Sequence, residues 1–172
     1  MPGSEKDLLA RVKELYPEST EAESLKTQGL INDIVQYLNG EHMKLSMDSL
    51  DTSVCYPFQL KVLMMERTIP RGMTASYGWV ARQINTQGVR AVGNALARNP
   101  FPLVVPCHRA VRSDGTLGGF QGGLKMKRAL LEMEGVEFDS KGRVRSDFLL
   151  SDYPVSMDTE NDSHVGSLIW LV

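Results

Sequence analysis

The chain has 172 residues, of which 42% are hydrophobic and 23% are charged, a composition typical of a soluble domain with a hydrophobic core. No apolar run approaches the ~20 residues that a membrane helix needs, and the charged N-terminus is no secretory signal. We therefore expect an intracellular protein, cytoplasmic or, in a eukaryote, nuclear. Two cysteines without a CxxC spacing and only three histidines argue against a disulfide scaffold and predict no metal site.

The net charge of −2 is unevenly distributed along the chain. Residues 61–135 contain eleven Lys or Arg and four Asp or Glu, a net charge of +7, whereas the remaining residues carry −9. Neutralisation of phosphates supplies most of the non-specific affinity for DNA, so a cationic middle segment favours a polyanionic partner. Chance segregation of surface charge is the alternative.

The N-terminal part of the chain is predicted to be mostly helical. A weak alternation of apolar residues allows one short strand at residues 42–50. Apolar residues at helical spacing predict helices at residues 4–16, 25–38 and 57–66.

The middle of the chain is predicted to form a helix-turn-helix. Thr74 or Ser76 can cap a first helix that runs to Ile84, and a turn containing Gly88 separates it from a second helix, Val89 to Arg98. Small side chains in the second helix allow either close approach to DNA or close packing inside the protein, and the spacing does not decide between the two. These small residues are Ala91, Gly93, Ala95 and Ala97.

The segment after this motif carries the densest group of reactive side chains. A buried extended run at residues 103–106 is predicted to lead into Cys107, which His108 and Arg109 follow. A thiol is nucleophilic when it is ionised, and a neighbouring imidazole and guanidinium favour the thiolate. In an extended backbone successive side chains diverge, so His108 would act through a water or after a bend. Glu134 is the best candidate for a carboxylate that holds the histidine tautomer.

Taken alone, a Cys-His pair is also compatible with a buried structural cysteine. Cys55 lies in no motif and is interpreted as structural.

The C-terminal part begins with a glycine-rich loop at residues 118–123 and a last helix at about residues 124–133. Residues 136–162 are polar and acidic, which predicts a loop or a partly disordered segment. The apolar end at residues 167–172 would be an aggregation hazard if exposed, so we expect it to fold back onto the protein as a strand or helix. A disordered tail is the alternative.

Six separated motifs occur in order between residues 55 and 135. They are IPRG at 69–72, SY at 76–77, RAVG at 90–93, NPFPLVVPCHR at 99–109, GGFQGG at 118–123 and LLEMEG at 130–135. Together they resemble the O6-alkylguanine-DNA alkyltransferase family. The resemblance implies an α+β fold with a mainly helical C-terminal domain that contains a winged-helix-like helix-turn-helix and short strands. The expected organisation is a reduced, mostly helical N-terminal region (1–54), the alkyltransferase domain (55–135) and a C-terminal extension (136–172).

The resemblance also implies a set of catalytic roles. Cys107 would accept the alkyl group, and His108, oriented by Glu134, would deprotonate the thiol through a water. Asn99 would brace the hinge between the recognition helix and the active-site segment. Tyr77 would donate a proton or a hydrogen bond to the leaving guanine.

DNA contacts and a substrate pocket follow from the same resemblance. Arg90 opens the recognition helix, which would bind in the minor groove, and it would replace the flipped base in the stack. Phe120 and Gln121 depart from the family, which commonly has a tyrosine and a small hydroxyl residue there. The expected DNA-binding residues are Arg90, Ala91, Gly93, Arg98 and Arg109, and the expected pocket residues are Tyr77, Val105, Phe120, Gln121 and Gly122.

The implied function is direct-reversal DNA repair by a monomer that needs no cofactor. An alkyl group, typically methyl, would pass irreversibly from O6-alkylguanine in double-stranded DNA to Cys107, once per molecule and after base flipping. O4-alkylthymine is an alternative lesion. A lesion sensor without transfer activity and a cysteine hydrolase are the competing hypotheses. Cys107 favours the enzyme over the sensor, and the adjacent Cys-His spacing and the charge pattern disfavour the hydrolase.

Overall fold

The computed structural model describes residues 10, 13, 14, 17 and 25–151. The helix predicted at residues 4–16 lies largely outside this part of the chain, although Ala10, Lys13 and Glu14 are helical. The expectation for the apolar end at residues 167–172 lies wholly outside it. The chain divides into two compact units, Met1–Asp51 and Thr52–Val172. No helix within the described residues is long and apolar enough to cross a membrane.

The first unit contains helix α1 (Leu25–Leu38), which confirms the prediction at residues 25–38. The helix ends where Gly40 adopts φ +97°, a left-handed conformation that costs glycine little. The strand predicted at residues 42–50 is wrong, because this segment is irregular and contains a turn at residues 48–49. No partner strand is present among the described residues of the unit, and an unpaired strand leaves its backbone groups unsatisfied.

The second unit confirms the helices predicted for the middle and C-terminal parts of the chain to within a few residues. Its helices are α2 (Pro57–Glu66), α3 (Tyr77–Gln83), α4 (Val89–Ala97) and α5 (Gly123–Met133); its strands are β1 (Ala75–Ser76) and β2 (Ala110–Val111); and its 3₁₀ turns are Thr52–Val54, Cys107–Arg109 and Ser146–Phe148.

Helices α3 and α4 form the predicted helix-turn-helix. Ser76 is the cap residue of α3, since its hydroxyl oxygen accepts a hydrogen bond from the N–H of Trp79 at 2.9 Å. The two helices pack with α2 around one apolar core, in which the Trp79 side chain is almost fully buried. Other buried members of this core are Val62, Leu63, Val80, Val92, Leu96 and Val105.

The two short strands connect this core to the segment that carries Cys107. They are parallel, with Ala75 opposite Ala110 and Ser76 opposite Val111. Strand β1 runs directly into α3, and strand β2 directly follows the Cys107–Arg109 turn. The pairing therefore fixes the start of α3 against the cysteine segment.

Residues 103–106 do not form the predicted extended run. Leu103 has φ +72°, and the N–H of Val105 donates to the carbonyl of Phe101 at 2.8 Å, so the chain makes a tight turn here. Two prolines, Pro102 and Pro106, lack the N–H that a strand ladder requires. The apolar run reflects burial of a turn, and extension was the wrong interpretation.

Residues 136–151 are largely loop, as predicted, but they pack closely against the second unit. Val136 and Val144 are buried and join Val111 and Leu131 in a second apolar cluster. Backbone hydrogen bonds also hold the segment beside β1, since Thr74 donates to Phe148 at 2.7 Å and accepts from Leu150 at 2.8 Å. The described part of the predicted C-terminal extension thus belongs to the core of this unit.

Candidate active site

Asn99 holds the Cys107 thiol at a fixed position relative to α4. Its Nδ2 donates to the carbonyl of Val105 at 3.0 Å and to Cys107 Sγ at 3.2 Å. Its Oδ1 accepts from the N–H of Phe101 at 2.9 Å. Because Asn99 comes directly after the α4 cap residue Arg98, one side chain ties the turn, the thiol and the helix end together.

Glu134 is the centre of a buried hydrogen-bonded network. Its Oε1 lies 3.1 Å from His108 Nε2, and Arg109 donates to it in a bidentate manner, with Nη2–Oε1 at 2.7 Å and Nε–Oε2 at 2.9 Å. Burial alone would raise the pKa of Glu134, but hydrogen bonds from His108 and Arg109, together with their charges, hold it at about 2. Glu134 is therefore an anion at neutral pH.

Arg109 is a correction to the predicted DNA contacts. Its side chain is almost buried, two of its nitrogens are bonded to Glu134, and its Nη1 donates to the carbonyl of Ile69 at 2.6 Å. A guanidinium with three donors engaged inside the protein is not available to a phosphate. The planar fork instead orients the carboxylate that contacts His108.

His108 and Cys107 are both neutral at neutral pH before the reaction. Burial lowers the pKa of His108, although the hydrogen bond to Glu134 opposes the shift. Burial raises the pKa of Cys107 to about 11, although the hydrogen bond from Asn99 opposes it. The thiol therefore needs a base, and a neutral imidazole can act as one. Because Cys107–Arg109 form a 3₁₀ turn, the expected divergence of extended side chains does not apply.

Tyr77 lies at the start of α3, against residues 118–122, which we call the pocket loop. A Cβ atom built on Gly118, which has φ +68°, would lie 2.8 Å from Tyr77 Oη, so only glycine allows this approach. Burial raises the pKa of Tyr77, which keeps the hydroxyl protonated and able to donate. The Phe120 ring packs edge-to-face on His108, with centroids 6.3 Å apart.

The other predicted pocket residues differ in their surroundings. Val105 is fully buried, whereas Gln121 and Gly122 are exposed. A Cβ on Gly122 would lie 2.5 Å from the sulfur of Met126 and 3.0 Å from Phe120, so a larger residue there would displace both side chains.

Lys127 anchors the pocket loop, although it was not among the predicted site residues. Its fully buried ammonium donates to the carbonyls of Ala110 and Leu117, each at 2.5 Å, and of Gly119 at 3.2 Å. Burial lowers its pKa to about 8, although electrostatic interactions with Glu66 and Cys107 oppose the shift. The sequence could have predicted its burial, because helical spacing places Lys127 on the same face as Leu130, Leu131 and Glu134.

Glu66 is a second buried ionisable residue that was not predicted for the site, and it influences the Cys107 thiol. Its side chain is fully buried, and neither oxygen has a hydrogen-bond partner at ordinary distances and angles among the described residues. Burial raises its pKa to about 8, although the charges of Lys127 and Arg109 and the nearby backbone of Ala110 lower it. Glu66 also influences the pKa of Cys107, so it belongs to the electrostatic surroundings of the site.

The exposed face of α4 has the features expected of a DNA-binding surface. Arg90, Ala91 and Arg98 are exposed. A Cβ built on Gly93 would meet nothing within 4 Å, so internal packing does not explain this glycine. Ala95 is fully buried and is the one small residue of the four that packing does explain.

The part of the chain that carries this site matches a known protein family. The model of the 6-O-methylguanine DNA methyltransferase DNA-binding domain matches residues 57–136. A methylated-DNA–protein-cysteine methyltransferase from Methanothermobacter thermautotrophicus is 42% identical over 134 residues, which cover 78% of this chain and 74% of that protein. The chain belongs to the 6-O-methylguanine DNA methyltransferase family. This confirms the resemblance described above.

Further members of the family agree in sequence and in structure. A methylated-DNA–protein-cysteine methyltransferase from Mycobacterium bovis is 39% identical over 72% of this chain and 71% of its own. The crystal structure of Mycobacterium tuberculosis OGT in complex with DNA aligns with a TM-score of 0.58 and 39% identity, over 62% of this chain and 66% of that one. The shared architecture confirms the predicted α+β fold.

Replacing Glu66 with Gln should stabilise the protein, and more so at higher pH. The folded state retains a proton that the unfolded chain releases, so the wild type loses stability as pH rises from about 4.5 to about 8. A glutamine at position 66 has no titratable proton, so the variant does not lose stability in this way. We expect Glu66→Gln to raise the free energy of unfolding by about 2–4 kcal/mol at pH 8 and by much less at pH 5.

Urea denaturation at both pH values measures this difference. Glu132→Gln is the matched control, because Glu132 is exposed on α5 and pairs with Arg128 at 2.8 Å on the surface; its effect should stay below about 1 kcal/mol. An equal effect of Glu66→Gln at the two pH values would show that the carboxyl does not titrate in this range.

Proposed function

We propose that this protein repairs alkylated DNA by direct reversal, moving an alkyl group irreversibly from the O6 atom of guanine in duplex DNA to Cys107. The observation that carries the proposal is a buried cysteine fixed by Asn99 at 3.2 Å beside the His108–Glu134 pair, in a chain of this family. The relatives named above are methylated-DNA–protein-cysteine methyltransferases, and one solved relative is bound to DNA. Action as a monomer in the cytoplasm, or in a eukaryotic nucleus, fits this role.

The first chemical step is removal of the thiol proton. His108 binds Glu134 through Nε2, so the proton from Cys107 arrives at Nδ1, by way of a water molecule. The Glu134 anion stabilises the imidazolium that forms, and Arg109 keeps the carboxylate in position. Because the pKa of Cys107 is about 11, the thiol becomes a thiolate at neutral pH only when a base accepts its proton.

The second step is a displacement at the alkyl carbon. The thiolate electron pair forms a bond from Sγ to that carbon while the bond from the carbon to O6 breaks, and its electron pair moves onto the guanine. Tyr77 donates a hydrogen bond or a proton to the departing base, which lowers the barrier. The product thioether on Cys107 has no easy reverse reaction, so each molecule acts once.

The lesion must leave the base stack before this reaction can occur, since its alkyl group is out of reach inside a duplex. Arg90 is exposed in the first turn of α4, at one end of the surface that also carries Ala91 and Gly93. Its planar guanidinium is suited to fill the space that the flipped base leaves.

Incubation with duplex DNA containing O6-methylguanine should add one methyl group to the peptide that contains Cys107. Peptide mass spectrometry locates the group, and the yield should not exceed one per protein molecule. Cys107→Ala should abolish transfer but leave DNA binding largely intact, because the thiol is not a phosphate contact. Cys55→Ala is the control and should react like the wild type. Repeated turnover, or a methyl group on Cys55, would contradict the proposal.

Replacing Arg90 with Ala should slow repair of duplex DNA far more than reaction with a free O6-alkylguanine base. Flipping costs a few kcal/mol, so loss of the residue that fills the stack should slow single-turnover repair by roughly 10- to 100-fold. The matched control is Arg98→Ala, which removes an exposed charge from the other end of α4. It should weaken duplex binding only modestly. An equal loss on duplex and free base would assign Arg90 to the pocket or to folding.

A further inference from the structure

Gln121 connects the pocket loop to the C-terminal end of the recognition helix α4. Its Nε2 donates to the carbonyl of Ala97, the last residue of α4, at 2.7 Å and to the carbonyl of Asn99 at 3.1 Å. The last carbonyls of a helix have no partner within the helix, so a side-chain amide here completes the helix end. Gln121 is exposed, and filling the core is therefore not its role.

Gln59 performs the corresponding task from the opposite side. This buried α2 residue donates its Nε2 to the carbonyls of Arg98 at 2.9 Å and Ala95 at 3.3 Å. The end of α4 is thus held between the rigid core, through Gln59, and the glycine-rich pocket loop, through Gln121. Any shift of the loop relative to α4 must break the two Gln121 hydrogen bonds.

The hydrogen bond between Gln121 and Asn99 also connects the pocket loop to Cys107. Asn99 accepts from Gln121 through its backbone carbonyl, while its side chain donates to Cys107 Sγ at 3.2 Å. The loop itself has glycines on both sides of Gln121, and it is anchored at its start by Lys127 through Gly119. Two anchors therefore define the loop, one from the core beneath it and one from the helix that faces DNA.

We propose that Gln121 is a positioning residue for alkyl transfer, which sets the pocket loop against the recognition helix so that a base delivered by DNA on α4 meets a pocket already in register with Cys107. The inference rests on the proposed function and extends it. A free alkylguanine base needs no alignment between the pocket loop and DNA on α4, so its transfer should depend on the Lys127 anchor and much less on Gln121. The residue therefore favours lesions in duplex DNA over free bases.

Gln121→Met is the informative variant, because Met has a similar length and no charge but cannot donate to the two carbonyls. Single-turnover transfer from O6-methylguanine in duplex DNA should fall about tenfold, as expected for the loss of two ordinary hydrogen bonds. Transfer from the free base O6-benzylguanine should fall less than about twofold. Gln28→Met, an exposed change in α1 of the first unit, controls for the added apolar surface.

Amide hydrogen exchange provides a readout that needs no activity. Exchange should become faster in the pocket loop and at residues 97–101 of Gln121→Met, and it should be unchanged in Gln28→Met. Equal losses of transfer on both substrates, or unchanged exchange in Gln121→Met, would overturn the positioning role. A wild type that transfers no alkyl group from either substrate would instead overturn the proposed function itself.

Discussion

The site depends on one interaction, the bidentate hydrogen bond between Arg109 and Glu134 inside the protein. A buried carboxylate is costly unless charged partners satisfy it, and here Arg109 and His108 do so at 2.7–3.1 Å. The pair fixes the end of α5 to the Cys107–Arg109 turn. It also gives His108 an anionic neighbour on Nε2, which selects the ring nitrogen that can exchange a proton with the thiol.

Polar side chains from α5 and from the end of α4 hold the parts of the site together. Helix α5 supplies two of these attachments, since Lys127 holds the loop and Glu134 holds His108. The residue directly after the cap of α4 is Asn99, whose side-chain amide donates to the sulfur of Cys107. DNA on the exposed face of α4 would therefore sit at a defined position relative to the nucleophile, which is what a reaction with a flipped base requires.

The sequence predicted the helices of the second unit well, because their apolar periodicity and end signals agree, as in α2 with Pro57 at its first position. It failed where an apolar run could be either strand or buried turn, as at Leu103, because burial alone does not specify backbone conformation.

Cys107 and its neighbours were identified by motif. Arg109 was assigned to DNA from the family resemblance, and the sequence alone does not show that its partner is Glu134 inside the protein. Lys127 and Glu66 were not predicted, because ionisable side chains are rarely buried. Only the tertiary structure shows that these two are.

The pH dependence of single-turnover methyl transfer to Cys107 in duplex DNA tests the central claim that neutral His108, oriented by Glu134, activates the thiol. Burial lowers the pKa of His108 below its usual value of 6.5, so the pH at which the rate falls to half of its plateau should lie below 6.5. A thiol that ionised without a base would behave differently. Its pKa is about 11, so the rate would rise about tenfold per pH unit from pH 6 to pH 10. That rise, or a half-loss of rate at pH 6.5 or above, would contradict the account.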